Sequence, residues 1–107
     1  MRWGLLDDGE FKWKVFIVDE CPVEVDDDGE ACGCCSPPKG NKPGKLYVKG
    51  TLSHYRTKHT LLHEIIHAAE YAEDISIKDS EVDAIARYIV RLFALNPKLA
   101  RFLSKKA

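Results

Sequence analysis

The first half of the chain contains a pattern of alternating hydrophobic and polar residues, which is typical of a β-strand with one buried face. Four apolar residues in the range 11–18 share that face: Phe11, Trp13, Val15 and Ile17. From Val15 onwards the run is continuously apolar, which predicts burial on both sides of the strand in its second half. Residues 45–49 form another short run of strand-forming residues, so the sequence predicts two strands.

Residues 54–73 carry apolar positions at helical spacing, and the pattern predicts a long helix that is apolar around most of its C-terminal half. Ser53 is a suitable N-cap, because its hydroxyl can accept a hydrogen bond from a free amide of the first turn. A second helix is predicted over residues 80–95, with Asp79 or Ser80 as its cap.

A chain of 107 residues with 45% hydrophobic and 31% charged residues fits one globular domain. We expect a single α+β domain over residues 1–107, with a small, partly antiparallel sheet packed on the first long helix. The second long helix crosses the first, and Asn96-Pro97 begins a short C-terminal helix. No apolar run is long enough to cross a membrane, and the N-terminus turns acidic too early for a signal peptide. We therefore expect a cytoplasmic protein with no membrane partner.

The basic residues are concentrated in one part of the chain. Residues 31–59 contain six Lys and Arg residues and no acidic residue. Tyr47 and Tyr55 are the aromatic residues of this block, too few for a ladder on which bases stack. We interpret the block as solvated loops and do not expect nucleic-acid binding.

Residues 19–44 are rich in Asp, Gly, Pro and Cys and have no periodicity, which predicts a long loop. All cysteines of the chain lie in it: Cys21, Cys32, Cys34 and Cys35. Four thiolates can hold a structural zinc ion, which would order the loop. Free thiols and disulfides are the alternatives, and an intracellular setting disfavours disulfides.

The strongest chemical signal is the sequence His-Glu-Ile-Ile-His at residues 63–67. His63 and His67 share one helix face with about 5–6 Å between their Cβ atoms, so both imidazoles can bind one zinc ion. Glu64 lies beside the open position of the ion, where it can take a proton from zinc-bound water. Two solvated histidines are the alternative interpretation. The motif lies in the most apolar segment of the chain, however, where polar groups need partners.

A zinc site of this kind needs a third protein ligand. His59 continues the four-residue spacing, but about 12 Å of helix separates it from His67, too far for one ion. Glu81 and Asp83 on the second helix are better candidates. Each also has a purely structural interpretation, since Asp83 can form a capping pair with Ser80, and Glu81 suits the positive end of the helix dipole.

Residues 60–68 resemble the active-site helix of minimal zincins, particularly small phage-encoded metallopeptidase-like proteins. The likeness extends over residues 45–104. In zincins with a glutamate as third ligand, this ligand often occurs as Glu-x-x-Ala, and residues 81–84 match that pattern. The resemblance therefore implies Glu81 as the third ligand, with Asp83 as the alternative. The acidic residue that often follows the alanine is Ile85 here.

The resemblance implies a zinc-dependent hydrolase, namely a peptidase in which Glu64 activates a zinc-bound water to cleave a peptide or protein. It also implies that residues 46–48 form the edge strand beside the substrate cleft. The alternative hypothesis is a non-catalytic, zinc-stabilised viral structural or assembly module, associated with the virion and an assembly partner. In that case Glu64 has no proton to move.

Overall fold

The computed structural model describes residues 2–19, 33–51 and 53–105. Its strands are β1 (Arg2–Asp7), β2 (Lys12–Val18), β3 (Gly33–Ser36) and β4 (Gly44–Lys49). Its helices are α1 (His54–Glu73), α2 (Asp79–Leu95) and α3 (Pro97–Leu103). The combination of one sheet with three helices confirms the predicted α+β fold.

The strands form a mixed sheet in the order β1-β2-β4-β3. β1 pairs with β2, and β3 with β4, in antiparallel fashion, whereas β2 and β4 run parallel with Val15 opposite Leu46. The predicted partly antiparallel sheet is therefore confirmed. β4 has a neighbour on each side, so the expectation that residues 46–48 form an edge strand is wrong. Among the described strands, β3 takes that edge.

β3 lies inside the segment that the sequence predicts to be a loop throughout. Four residues are too few for an alternating pattern to be visible, and their pairing partner in β4 follows later in the chain. The strand approaches α1 very closely at Gly33. A Cβ atom there would lie 2.8 Å from Thr60 Cγ2 and 3.0 Å from Glu64 Cγ, so a glycine is needed at this contact.

One buried cluster joins the sheet to α1 and consists of Trp13, Val15, Leu46 and Ala68. Leu61 and Ile65 of α1 are partly buried against it. The predicted apolar face of β2 is thus confirmed for Trp13 and Val15. Burying these side chains removes most of their apolar surface from water, which contributes roughly 1.5–3 kcal/mol for a residue the size of valine. This packing fixes how α1 is rotated about its own axis.

The opposite face of the sheet is only partly covered. Phe16 of β2 stacks on Tyr47 of β4 with ring centroids 5.1 Å apart, and Phe16 and Val18, which lie on this face, are both half-buried. Burial on both sides of the second half of β2 was expected, and this expectation is wrong. The helix that packs on the described sheet, α1, covers its other face.

The helices begin and end close to their predicted positions. Ser53 caps α1 and accepts a hydrogen bond from the Arg56 backbone N–H at 3.3 Å. The cap of α2 is Lys78, so the expectation of Asp79 or Ser80 in that role is wrong. α2 packs on α1, and α3 begins at Pro97 as predicted. None of the helices in the described ranges has the length and apolar character needed to cross a membrane.

Asp8 ties the turn between β1 and β2 to the core. Its Oδ1 accepts hydrogen bonds from the backbone N–H groups of Phe11 at 2.6 Å and Glu10 at 2.9 Å. Its Oδ2 accepts one from the indole Nε1 of the buried Trp13 at 3.1 Å. The hydrogen bonds from Phe11 and Glu10, followed by that from Trp13, lower the pKa of Asp8 below its ordinary value.

We expect Asp8→Ala to lower the melting temperature at neutral pH. Because the native pKa of Asp8 is depressed, its contribution to stability is complete above the unfolded pKa of roughly 3.9 and is lost as pH falls through the native pKa. The difference in melting temperature between wild type and variant should therefore shrink in acid. Circular dichroism melts over a pH series measure it, with Glu10→Ala in the same turn as the control. A difference that persists unchanged in strong acid would contradict this role.

Candidate metal centre

The two histidines of the motif lie side by side on α1. Their Nε2 atoms are 3.1 Å apart, and their ring centroids are 4.8 Å apart. A tetrahedral zinc ion with Zn–N bonds of 2.0–2.1 Å has its ligand nitrogens about 3.3 Å from each other. The spacing of His63 and His67 therefore suits two ligands of one ion.

A carboxylate from the start of α2 joins them. Asp79 Oδ1 lies 3.2 Å from His67 Nε2, and one ligand atom from each of His63, His67 and Asp79 falls within 4.8 Å of the others. These residues can hold a metal ion. The side chain of Asp79 is 81% exposed, against 27% for His67, so the group opens to solvent.

The Nδ1 atoms of both histidines face carboxylates. His67 Nδ1 lies 2.7 Å from Glu70 Oε1, and His63 Nδ1 lies 3.7 Å from Asp83 Oδ1. A carboxylate only accepts, so Glu70 favours a proton on His67 Nδ1 and a bare lone pair on His67 Nε2, whereas the contact of His63 with Asp83 is longer than a hydrogen bond. The lone pair of His67 Nε2 faces His63 Nε2 at 3.1 Å, where it can accept a hydrogen bond from His63 or bind a metal ion between the two rings. The donor chemistry therefore fits a metal ion.

The charge state of His63 also suits a ligand. Burial lowers its pKa, and the neighbouring His67 lowers it further, while Asp79 and Asp83 oppose the shift. The imidazole is therefore held in its neutral form at neutral pH. Only a neutral imidazole can bind a metal ion without first losing a proton.

Asp83, the alternative third ligand, lies behind His63. Its Oδ1 is 3.0 Å from His59 Nε2, and its other oxygen forms an ion pair with Arg87. It therefore acts as a partner of the histidines and is not part of the group that can hold the ion. His59, which the helical spacing separates from His67, contacts Asp83 instead of joining that group.

The structure does not bring Glu81, the ligand implied by the resemblance, to the histidines. Its exposed carboxylate accepts a hydrogen bond from the Lys78 backbone N–H at 3.3 Å. A helix turns about 100° per residue, so Glu81 lies about 200° around α2 from Asp79, whereas Asp83 shares the face of Asp79. Asp79, and not Glu81, is therefore the residue of α2 that falls within the group that could hold a metal ion.

The sequence predicts Asp79 only as a helix cap. The short connection between α1 and α2 is the signal that could have predicted its position beside the histidines. Residues 74–78 alone separate α1 from α2. Helices joined by so short a segment lie antiparallel, so the first turn of α2 must lie beside the last turns of α1, where His67 is found. Glu70 was missed as well, although it stands at the neighbouring i+3 position.

Glu64 lies on the side of α1 that faces the sheet. Its side chain is buried, with the residue only 5% exposed, and its Cγ is close to Gly33 of β3. Burial raises the pKa of Glu64 to about 7, against the opposing charge of His67 and with a further increase from Asp79. The motif thus provides a buried carboxyl group that interacts electrostatically with His67 and Asp79 but is not one of the metal donors.

The predicted second metal site is only partly within the described residues, since Cys21 and Cys32 lie outside them. Cys34 and Cys35 are consecutive in β3, so their side chains point to opposite faces of the sheet and are not brought together. Burial, together with Glu64 and Glu70, raises the pKa of the Cys35 thiol to about 12. This thiol is therefore protonated at neutral pH and packs in the core.

The site is thus defined by two imidazoles and one carboxylate, each with its position fixed by a helix. No family model, curated protein or solved structure matches this chain. The resemblance to minimal zincins stays a prediction. The chemistry available to the chain is that of His63, His67, Asp79 and the buried Glu64.

Removing metal with a strong chelator should lower the melting temperature, and adding metal back should restore it. An ion that binds only the folded chain contributes about 2.7 kcal/mol when its free concentration is 100 times Kd, because binding shifts the equilibrium by mass action. Here it would join α1 to the start of α2. His63→Ala lacks one donor, so its melting temperature should not respond to chelator. An unchanged wild-type melt after verified metal removal would speak against this site.

Asp79→Ala should weaken metal binding by more than the roughly 10–100-fold that loss of an outer hydrogen-bond partner costs, because a direct ligand is removed. Glu81→Ala is a matched control, since it also removes a carboxylate from the first turn of α2 and thus the same favourable interaction with the helix dipole. Its metal affinity should stay close to wild type. Competition titration with a chromophoric chelator measures both. Loss of affinity in the Glu81 variant alone would restore Glu81 as the ligand.

Proposed function

We propose that the protein is a zinc-dependent hydrolase, and specifically a peptidase, with Glu64 as its general base. The observation that carries the proposal is the number of donors. The described residues bring together three protein donors, from His63, His67 and Asp79, and the residue that follows His63 in the chain, Glu64, has a buried side chain. Structural zinc sites usually have four protein ligands, whereas catalytic sites have three and leave one position for water or substrate.

The donor types favour zinc over the common alternatives. Two imidazole nitrogens are poor ligands for Mg²⁺ and Ca²⁺, which prefer oxygen, and zinc hydrolases use two histidines with one carboxylate. A bound zinc ion supplies Lewis acidity, which lowers the pKa of a water molecule towards about 7 and polarises a substrate carbonyl. The remaining step, proton transfer, is carried out by a side chain of the protein.

In the proposed reaction, Glu64 moves the proton. It accepts a proton from the attacking water as the water oxygen bonds to the carbonyl carbon of the substrate. It then returns this proton to the amide nitrogen as the C–N bond breaks, so that an amine and a carboxylic acid are released. Burial of Glu64 against Gly33 supports this role, because it keeps the carboxyl group away from bulk water.

A peptide substrate is supported by the position of β3. This strand lies at the edge of the described sheet and contacts α1 next to Glu64 through Gly33. An extended peptide can bind by pairing its backbone with an edge strand. A peptide bound along β3 would lie beside the strand that contacts Glu64, which agrees with cleavage within an extended chain segment.

Glu64→Gln should lower hydrolysis by roughly a hundredfold or more, because glutamine keeps the size of the side chain but cannot accept the proton. Zinc content and melting temperature should stay at or slightly above the wild-type values, since a neutral amide replaces a buried carboxyl group. A mixed peptide library incubated with zinc-loaded protein and analysed by mass spectrometry provides the activity assay.

Glu73→Gln is the control for this experiment, because it removes a carboxylate from the exposed end of the same helix. It should cleave as wild type does. Equal cleavage by wild type and the Glu64 variant would contradict the catalytic role. A wild type that binds zinc but cleaves no peptide of the library would favour the zinc-stabilised assembly module instead.

A further inference from the structure

We propose that Glu70 is a positioning residue of the metal centre. It keeps His67 in one tautomer, and it fixes the backbone of the segment that leads to Asp79. The inference rests on the proposed function, because it concerns the same metal donors. It gives a role to a carboxylate that lies outside the motif. Two hydrogen bonds, one to each oxygen of Glu70, carry it.

The first hydrogen bond is to the histidine. Glu70 Oε1 lies 2.7 Å from His67 Nδ1, a short distance for a charge-assisted hydrogen bond. Because the carboxylate accepts, the proton is held on Nδ1, and Nε2 keeps its lone pair. Nε2 is the atom that faces the other donors, 3.1 Å from His63 Nε2 and 3.2 Å from Asp79 Oδ1. Glu70 therefore keeps the metal-binding nitrogen of His67 unprotonated.

The second hydrogen bond is to the backbone of the connection. Glu70 Oε2 accepts from the Ile77 N–H at 3.0 Å, two residues before Asp79. This bond fixes the chain as it turns from α1 into α2. The same side chain thus sets the proton position of one donor and anchors the peptide that leads to another.

The comparable contact at the other histidine is looser. His63 Nδ1 lies 3.7 Å from Asp83 Oδ1, which is beyond hydrogen-bond distance, and Asp83 is shared with His59 and Arg87. Glu70 has His67 and Ile77 as its partners and is 18% exposed at its side chain. Removal of Glu70 should therefore disturb the donor group directly, because no other carboxylate among the described residues forms a hydrogen bond with His67 Nδ1.

Replacement of Glu70 by glutamine separates positioning from simple packing. Glutamine has the same shape, but only one of its two terminal atoms accepts a hydrogen bond, while the other is an NH₂ donor. If the oxygen of the glutamine still accepts the hydrogen bond from the Ile77 N–H, its NH₂ group faces His67 Nδ1. His67 Nδ1 must then accept a hydrogen bond from this NH₂ group. The His67 proton moves to Nε2, and the lone pair needed for the metal is lost.

The test uses the metal-free 107-residue chain at about pH 8, where a free imidazole is mostly neutral. Long-range ¹H–¹⁵N NMR correlations give the tautomer of His67 in wild type, Glu70→Gln and the control Glu73→Gln. Competition titration with Zn²⁺ alone then gives the affinity of each. We expect an Nδ1 proton in wild type and the control, an Nε2 proton in Glu70→Gln, and a roughly 10–100-fold weaker zinc affinity for that variant.

A proton on His67 Nε2 in metal-free wild type would overturn the proposal without any variant, so the test does not depend on how Glu70→Gln folds. Zinc affinity in Glu70→Gln equal to that of Glu73→Gln would also overturn it. Should wild type bind no zinc, the proposed function fails, while the tautomer measured without metal still decides whether Glu70 orients His67.

Discussion

The packing of α1 between the sheet and α2 is the constraint on which the site depends. Ala68 lies in the core with Trp13 and Leu46, and this contact fixes the rotation of the helix. Glu64, one turn before Ala68, must then face the sheet as well. His63 and His67 are rotated by about 100° from these positions, towards the face that meets α2. Glu64 therefore lies against the sheet, whereas its neighbour His63 lies towards α2.

The electrostatic balance around the histidines follows from the same arrangement. The carboxyl groups of Glu70, Asp79 and Asp83 surround the two imidazoles, and Arg87 is paired with Asp83. Without a metal, this region holds an excess of negative charge around the lone pair of His67 Nε2. A divalent cation would balance this charge, because the carboxylates attract it, and it would bind the imidazole nitrogens. Charge and geometry thus favour the same occupant.

Much of this architecture was predictable because its signals are local. The spacing of apolar residues gives α1, α2 and the buried face of β2, and the motif identifies His63, His67 and Glu64 as one group. β3 was not predictable, because its pairing with β4 is a tertiary contact and its four residues are too few to show a period. Asp79 was not predicted for a different reason. The Glu-x-x-Ala pattern of the resemblance points to Glu81, which lies on a different face of α2 from Asp79.

The metal donors and their outer partners all belong to one helical hairpin, whereas the sheet supplies the burial of Glu64. Contacts within the hairpin join residues that are close in sequence, and such contacts form rapidly during folding. The parallel pairing of β2 with β4 joins distant segments, as Val15 opposite Leu46 illustrates, and closes a long loop at an entropic cost. The two halves of the site therefore differ in contact order. The three donors come together through local folding of the hairpin. Glu64 becomes buried only when the sheet, with its long-range strand pairing, has formed.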